Sequence, residues 1–205
     1  MDLLIEGANK LKIELTQDQI DKLEKYIKEI ELFNPVYKLV GYQDRSELII
    51  KHILDSLAGI KEIEKINKGV IADLGSGAGF PGIVLAIMLD SPIVLIERMK
   101  RRVDFLKNVI LRCNLTNVKI IAKDVSEVDE KFDTITCRAF HPIYDIIQDV
   151  ERLLTTDGVF AAYKGRKSYL LAETENLSAW KLDVIPLQVP FLDEQRHLAL
   201  MRKKY

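Results

Sequence analysis

Cysteine is scarce. Cys113 and Cys137 are the only two in 205 residues, which fits a reducing cytosol and excludes a disulfide framework or a zinc ribbon. No metal site is expected. Long apolar runs are missing as well: none approaches the ~18 residues of a membrane span. The opening Met-Asp-Leu-Leu-Ile-Glu-Gly has neither a basic flank nor a long apolar stretch, so a signal peptide is not expected and a cytoplasmic location is. Neither sign of charge dominates. Lys and Arg total 30 against 31 Asp and Glu, for a net charge of −1. No global field draws the chain to nucleic acid or membrane, so any nucleic-acid binding must rest on local basic patches. Repeats and low-complexity segments are absent. What remains is ordinary globular composition, long enough for one sizeable domain and an appendage.

Residues 1–67 read as a helical extension. Thr16-Gln-Asp-Gln19 has the form of a capping box, and Ile20, Leu23, Ile27 and Ile30 follow at helical spacing. Asn34-Pro35 is expected to end that helix. Asp44-Arg-Ser-Glu47 is a second capping pattern, with Ile49, Ile53, Leu54 and Leu57 as the apolar face and Gly59 as a stop. The charged stretch 61–68 reads as a passage into the main domain, 68–205. There strands and helices alternate. Strands are expected at 70–74, 93–97, 118–122, 133–137, 158–163, about 181–189 and 197–202, and helices at 81–89, 100–113, 143–154 and 167–178. Short loops between alternating elements mean a doubly wound, mostly parallel α/β sheet of seven strands. The last two strands have no helix between them and are expected to pair antiparallel.

Residues 73–82 read Asp-Leu-Gly-Ser-Gly-Ala-Gly-Phe-Pro-Gly. This is a strand tip, a glycine turn and a helix start, where bare backbone can approach a cofactor. Gly77, Gly79 and Gly82 also satisfy the dinucleotide pattern G-x-G-x-x-G. Glu97 ends the second strand, where an acid binds a ribose in either case. Asp73 tilts the choice: its carboxylate would repel a pyrophosphate but suits the ammonium of S-adenosylmethionine. Asp124, after the third strand, can accept from an adenine amino group. The closing antiparallel pair of strands also follows the class I adenosylmethionine methyltransferase type. The expected cofactor is therefore S-adenosylmethionine, with a nicotinamide dinucleotide as a distant rival.

The methyl acceptor follows from what surrounds the fourth strand. Amine methylation calls for an Asn/Asp-Pro-Pro-aromatic motif there, and the chain has Cys137-Arg138-Ala139-Phe140-His141-Pro142 instead. Cysteine-dependent methylation of cytosine C5 would use Cys137 as nucleophile. Guanine N7 carries a free lone pair and no proton, so transfer to it needs alignment rather than a base. Arg138 suits that case, because a guanidinium can bond guanine O6, a carboxylate or a phosphate. Arg98, Lys100, Arg101, Arg102, Lys107 and Arg112 form a basic run against Asp104 alone. Lys164 and Arg166 end the fifth strand, and Arg196-His197 enter the seventh. Lys100, Arg101, Lys164, Arg166 and Arg196 are the candidate RNA contacts. His52 by itself reads as a core or surface histidine.

Taken together, His52-Ile-Leu-Asp-Ser56, the Asp73 to Gly82 loop, Lys100-Arg101-Arg102-Val-x-Phe-Leu106, Arg138-Ala139, Lys164-Gly165 and Leu192-Asp-x-x-Arg196-His197-Leu resemble the glucose-inhibited division B family. These are bacterial 16S ribosomal RNA guanine-N7 methyltransferases, and the likeness runs from about Asn34 to Arg202. It implies an adenosylmethionine site at Gly75, Phe80, Val125, Ser126 and Arg138, beside the acids and Gly77 named above. It implies 16S rRNA or the small subunit as partner, and a monomer is expected. Arg138 would be the catalytic residue. A non-catalytic ribosome-assembly protein with a vestigial pocket is the non-enzyme alternative.

Overall fold

A computed structural model describes residues 2–204; Met1 and Tyr205, the outermost residues of the two expected regions, lie outside it. Seven strands form one sheet: β1 (Ile71–Leu74), β2 (Ile93–Ile96), β3 (Val118–Ile121), β4 (Phe132–Arg138), β5 (Leu154–Lys164), β6 (Trp180–Leu187) and β7 (Arg196–Lys203). Their order is β3-β2-β1-β4-β5-β7-β6. The first five are parallel, and β7 runs antiparallel between β5 and β6. The alternation of the sequence explains this layout. Ile93 and Leu95 belong to one core and Val94 and Ile96 to the other, as do Val159 and Ala161 against Phe160 and Ala162. A strand buried on both faces must be largely apolar, and β1 and β2 are, with Asp73 the one exception. The edges are protected: Lys119 points outward on β3, and β6 carries Lys181, Asp183 and Pro186.

Helices cover both faces. α6 (Gly82–Met88) and α7 (Lys100–Arg112) lie on one, α8 (Ile143–Leu153) and α9 (Lys167–Thr174) on the other. The N-terminal helices complete the first layer. They are α1 (Asp2–Lys10), α2 (Gln17–Tyr37), α3 (Arg45–Leu48), a π-helical stretch over Ile49–Leu54, α4 (Asp55–Ala58) and α5 (Ile60–Ile66). Leu4, Leu23, Ile27, Ile30, Leu48, Ile53 and Leu57 have no exposed surface and share one core with Ile83, Leu95, Phe105 and Leu198. Each such side chain contributes roughly 1.5–3 kcal/mol by burial. That shared core attaches the N-terminal helices to the sheet.

Two local expectations are corrected. Asn34-Pro35 does not stop α2, which runs on to Tyr37 with Pro35 in its last turn. Lys38 ends it instead in the left-handed region (φ 52°), and its N–H donates to the Asn34 carbonyl. The Asn34 side chain staples the loop that follows. Its Oδ1 accepts from Leu39 and Val40 N–H, and its Nδ2 donates to the Val40 carbonyl. The passage into the main domain at 61–68 is mostly helical rather than an open connection, because α5 occupies most of it and buries Ile60 and Ile63. The Thr16–Gln19 capping box is present as expected, with both reciprocal bonds. Asp44 caps Glu47 N–H, but the Glu47 carboxylate accepts from Gln43 N–H rather than closing the box.

Candidate active site

In an open α/β sheet, ligands bind beyond the carboxyl ends of the strands where the winding reverses. Here that point lies between β1 and β4. Two compartments meet there. One, about 810 Å³, is lined by Gly75, Ser76, Gly77, Phe80, His52, Asp55, Arg138, Lys164 and Arg196, among others. The second, about 650 Å³, is lined by Glu97, Asp124, Val125, Phe140 and His141. Gly75, Arg102 and Ala139 line both and form the waist. Gly75 has φ +63°, and a Cβ there would lie 2.1 Å from the Phe140 ring. A side chain at position 75 would be strained by that φ and would have to displace the Phe140 ring.

The glycine loop is held from below by two carboxylates with different environments. Asp73 is completely buried at the tip of β1. Its Oδ2 accepts from Gly82 N–H at 3.2 Å, and its Oδ1 has no hydrogen-bond partner. Burial pushes its pKa up to about 7, against weaker opposing pulls from the Gly82 and Ser76 bonds and from Arg138. Gly82 is glycine because a Cβ would lie 2.6 Å from that carboxylate. Glu97 is also buried, but it accepts from Gly77 N–H (2.9 Å) and Met99 N–H (2.8 Å), which fixes both the loop and the turn after β2. A cationic group reaching Asp73 would restore the missing partner, and the Glu97 oxygens have lone pairs left for hydroxyl donors. Glu97 and Asp124 line the second compartment, whereas Asp73 lies beneath the glycine loop, outside the lining of both; this set of acids suits a cofactor with a cationic end, a ribose and an adenine.

Asp124 is half-exposed at the rim of the second compartment. It accepts from Ser126 N–H (3.2 Å) and Ser126 Oγ (2.9 Å), bonds that hold its carboxyl below the usual range. Val125 lines the compartment. Ser126 is exposed and outside the lining, with its amide committed to Asp124.

Arg138, at the end of β4, is held by the N-terminal helices. Its NH1 donates to the Lys51 carbonyl (2.9 Å) and to Asp55 Oδ2 (2.8 Å), and its NH2 donates to His52 Nδ1 (2.8 Å). The guanidinium lies 4.9 Å above the Phe80 ring, and the His52 ring stacks on the same Phe80 at 5.2 Å. His52 Nε2 lies 3.0 Å from the Gly41 carbonyl. A carbonyl only accepts, so Nε2 carries the proton and Nδ1 is the bare acceptor. Burial and the Arg138 charge push the His52 pKa down to about 4, which keeps the ring neutral at pH 7. On the other side of Asp55, Arg196 Nε faces Oδ1 at 3.3 Å as an ion pair without hydrogen-bond alignment. The helical extension thus forms a wall of the compartment. Tyr26 of α2 also donates to the Ala78 carbonyl of the glycine loop (2.7 Å), and Tyr163 of β5 donates to the Ser56 carbonyl (2.9 Å).

Of the basic candidates, Lys164 and Arg196 line the Arg138 compartment, Lys164 paired with Glu173 at 2.5 Å. Arg166 is exposed over the Tyr169 ring, 5.8 Å from its centroid. Lys100 is exposed and paired with Asp104 one turn along α7. Neither it nor Arg101 lines a compartment. Cys137 is 1% exposed in the core opposite the N-terminal helices, and burial pushes its thiol up to about 12. Such a thiol stays protonated near neutral pH, and Cys137 lines neither compartment; both facts speak against the cysteine-nucleophile alternative. The residues missed from the sequence are Asn34, Tyr26 and Asp55, with His52 under-read. The His-x-x-Asp spacing, which places both on one helical face, was the available signal.

The family described as rRNA small subunit methyltransferase G matches residues 19–199. Ribosomal RNA small subunit methyltransferase G of Borrelia hermsii is 38% identical over 175 residues, 84% of each chain. The protein of that name from Treponema denticola is 34% identical, covering 98% of this chain and 94% of its own. Among solved structures, ribosomal protein L11 methylase from Lactobacillus delbrueckii subsp. bulgaricus aligns with a TM-score of 0.61 at 17% identity, over 80% of this chain and 81% of its own. A mutant of MtNAS in complex with S-adenosylmethionine aligns with a TM-score of 0.64 at 17% identity, over 90% and 72%. At such identities the likeness is one of fold.

Proposed function

Because the chain belongs to the rRNA small subunit methyltransferase G family, whose cofactor is S-adenosylmethionine, we propose that it methylates N7 of one guanine in 16S rRNA. The observation that carries this reading is an arginine held by three interior bonds in the wall of the cleft, next to a glycine loop with an unpartnered buried carboxylate oxygen beneath it. The cofactor supplies an electrophilic methyl on a sulfonium, which a lone pair in line with it can take directly. Asp73, Gly75, Gly77 and Phe80 would shape the methionine end, Glu97 the ribose, and Asp124, Val125 and Ser126 the adenine. Arg138 would orient the cofactor and the guanine, as the catalytic residue.

Guanine N7 carries no proton, so no residue is required to act as a base, and His52, beside Arg138, has both nitrogens committed. The work of the chain is alignment, worth several powers of ten when the reacting atoms are held in line. Lys164 and Arg196 would hold phosphates beside the target, with Arg166, Lys100 and Arg101 further out. The helices of 1–67 would serve as an extension of the methyltransferase domain, 68–205, on the acceptor side. No helix among the described residues is long and apolar enough to cross a membrane, and no cluster of three or more ligating side chains among them is placed to hold a metal. The partner in this reading is 16S rRNA or the small subunit, and the protein is taken as a cytoplasmic monomer. Nucleoside mass spectrometry of small-subunit rRNA tests the proposal: a strain lacking the protein loses one 7-methylguanosine, and an unchanged content refutes it.

A further inference from the structure

His52 joins two walls of the cleft that no other side chain connects among the described hydrogen bonds. Its Nε2 donates to Gly41, in the loop that Asn34 staples and that lines the Arg138 compartment. Its Nδ1 accepts from Arg138, eighty-six positions away. A π-helical stretch carries it, and such segments recur at functional sites. Three of the five guanidinium N–H groups are consumed by Lys51, His52 and Asp55. All three partners come from one helical segment, so the guanidinium plane is fixed before any ligand arrives, while Nε–H and one NH2 hydrogen make no hydrogen bond among the described residues. Asp55 supplies charge and Lys51 a carbonyl; only His52 also reaches the opposite loop.

We propose that His52 is a positioning residue: its neutral imidazole sets the plane of Arg138 and ties it to the Gly41 wall, so that the remaining guanidinium donors face the cleft. This rests on the reading of Arg138 as the group that orients cofactor and acceptor. A preorganised donor loses less freedom on binding than a mobile one, so the effect reaches cofactor affinity as well as transfer.

The test is calorimetric titration of S-adenosylmethionine into the full chain and its variants, alongside single-turnover methyl transfer. His52→Phe keeps a ring to stack on Phe80 and removes both nitrogens. It is expected to weaken cofactor binding about ten-fold, the scale of one hydrogen bond to a charged group. His52→Asn puts an amide oxygen near the Nδ1 position and is expected to recover most of that loss. Binding unchanged within two-fold in the Phe variant, or equal losses in both variants, would overturn the proposal. Should the Phe variant fail to fold, nitrogen NMR of the native protein decides: Nε2 protonated and Nδ1 bare at pH 7 supports it, and the opposite tautomer or an imidazolium overturns it. Failure of the rRNA reading would appear separately, as intact cofactor binding without methyl transfer to RNA.

Discussion

The two compartments of the cleft are built by different means. The acids of the one at Glu97 and Asp124 are held by short-range bonds: Glu97 bonds the amide two residues on and the glycine loop twenty positions back, and Asp124 bonds the next turn. The one at Arg138 is made from side chains more than eighty positions apart, joining β4 to the segment around His52 and Asp55. A locally built site loses only what one residue contributes. A site built from a buried ion pair leaves the partner stranded when one member is removed. The contrast implies that substitutions in the Arg138 compartment damage fold and function together, whereas those around Glu97 separate them.

The largest effect is expected at Arg138. Arg138→Ala leaves Asp55 buried with only the poorly aligned Arg196 beside it, which costs about 3 kcal/mol by urea denaturation and is expected to abolish methyl transfer. A variant that folds normally would break the contrast. Asp73→Asn comes next and works in the opposite direction on stability. The folded pKa of Asp73 is raised from 3.8 to about 7, so its neutral form favours folding below pH 3.8. That advantage is lost as pH rises through 7. The Asn variant, always neutral, is therefore more stable than the native protein without cofactor by roughly 2–4 kcal/mol at pH 8, and no more stable below about pH 4. Denaturation at both pH values checks this, and calorimetry checks the accompanying loss of S-adenosylmethionine binding. Glu97→Gln keeps an acceptor for one amide and loses the charge. It is expected to weaken cofactor binding about ten-fold and, with one buried N–H left without its acceptor, to cost about 1 kcal/mol by urea denaturation, less than the Arg138 change. The smallest effect is at Cys137: Cys137→Ser leaves kcat within two-fold, because a buried thiol outside both compartments takes no part in transfer.

The same contrast explains what could be read from the chain. The strands, the glycine loop and the acids Asp73, Glu97 and Asp124 follow from apolar runs and strand-end positions, which are local signals. The antiparallel pairing of the closing strands was legible from the missing helix. The wall opposite was not. Asn34 followed by Pro35 has the local signature of a helix stop, and nothing nearby shows that its amide staples a loop. His52 and Asp55 share a helical face, but only the fold brings Arg138 against it. Within the basic run around α7, the sequence does not tell the residues that line the cleft, Arg98 and Arg102, from Lys100, which pairs with Asp104 outside it. Resemblance marked the His52–Ser56 segment without showing what its side chains hold.

The most direct test of the methyl-transfer reading uses methyl-labelled S-adenosylmethionine, the purified protein and small-subunit rRNA from a strain lacking it. One methyl per RNA is predicted, recovered as 7-methylguanosine, with no label for Arg138→Ala and full label for Cys137→Ser. Label in any other nucleoside, or its loss in Cys137→Ser alone, would contradict that reading.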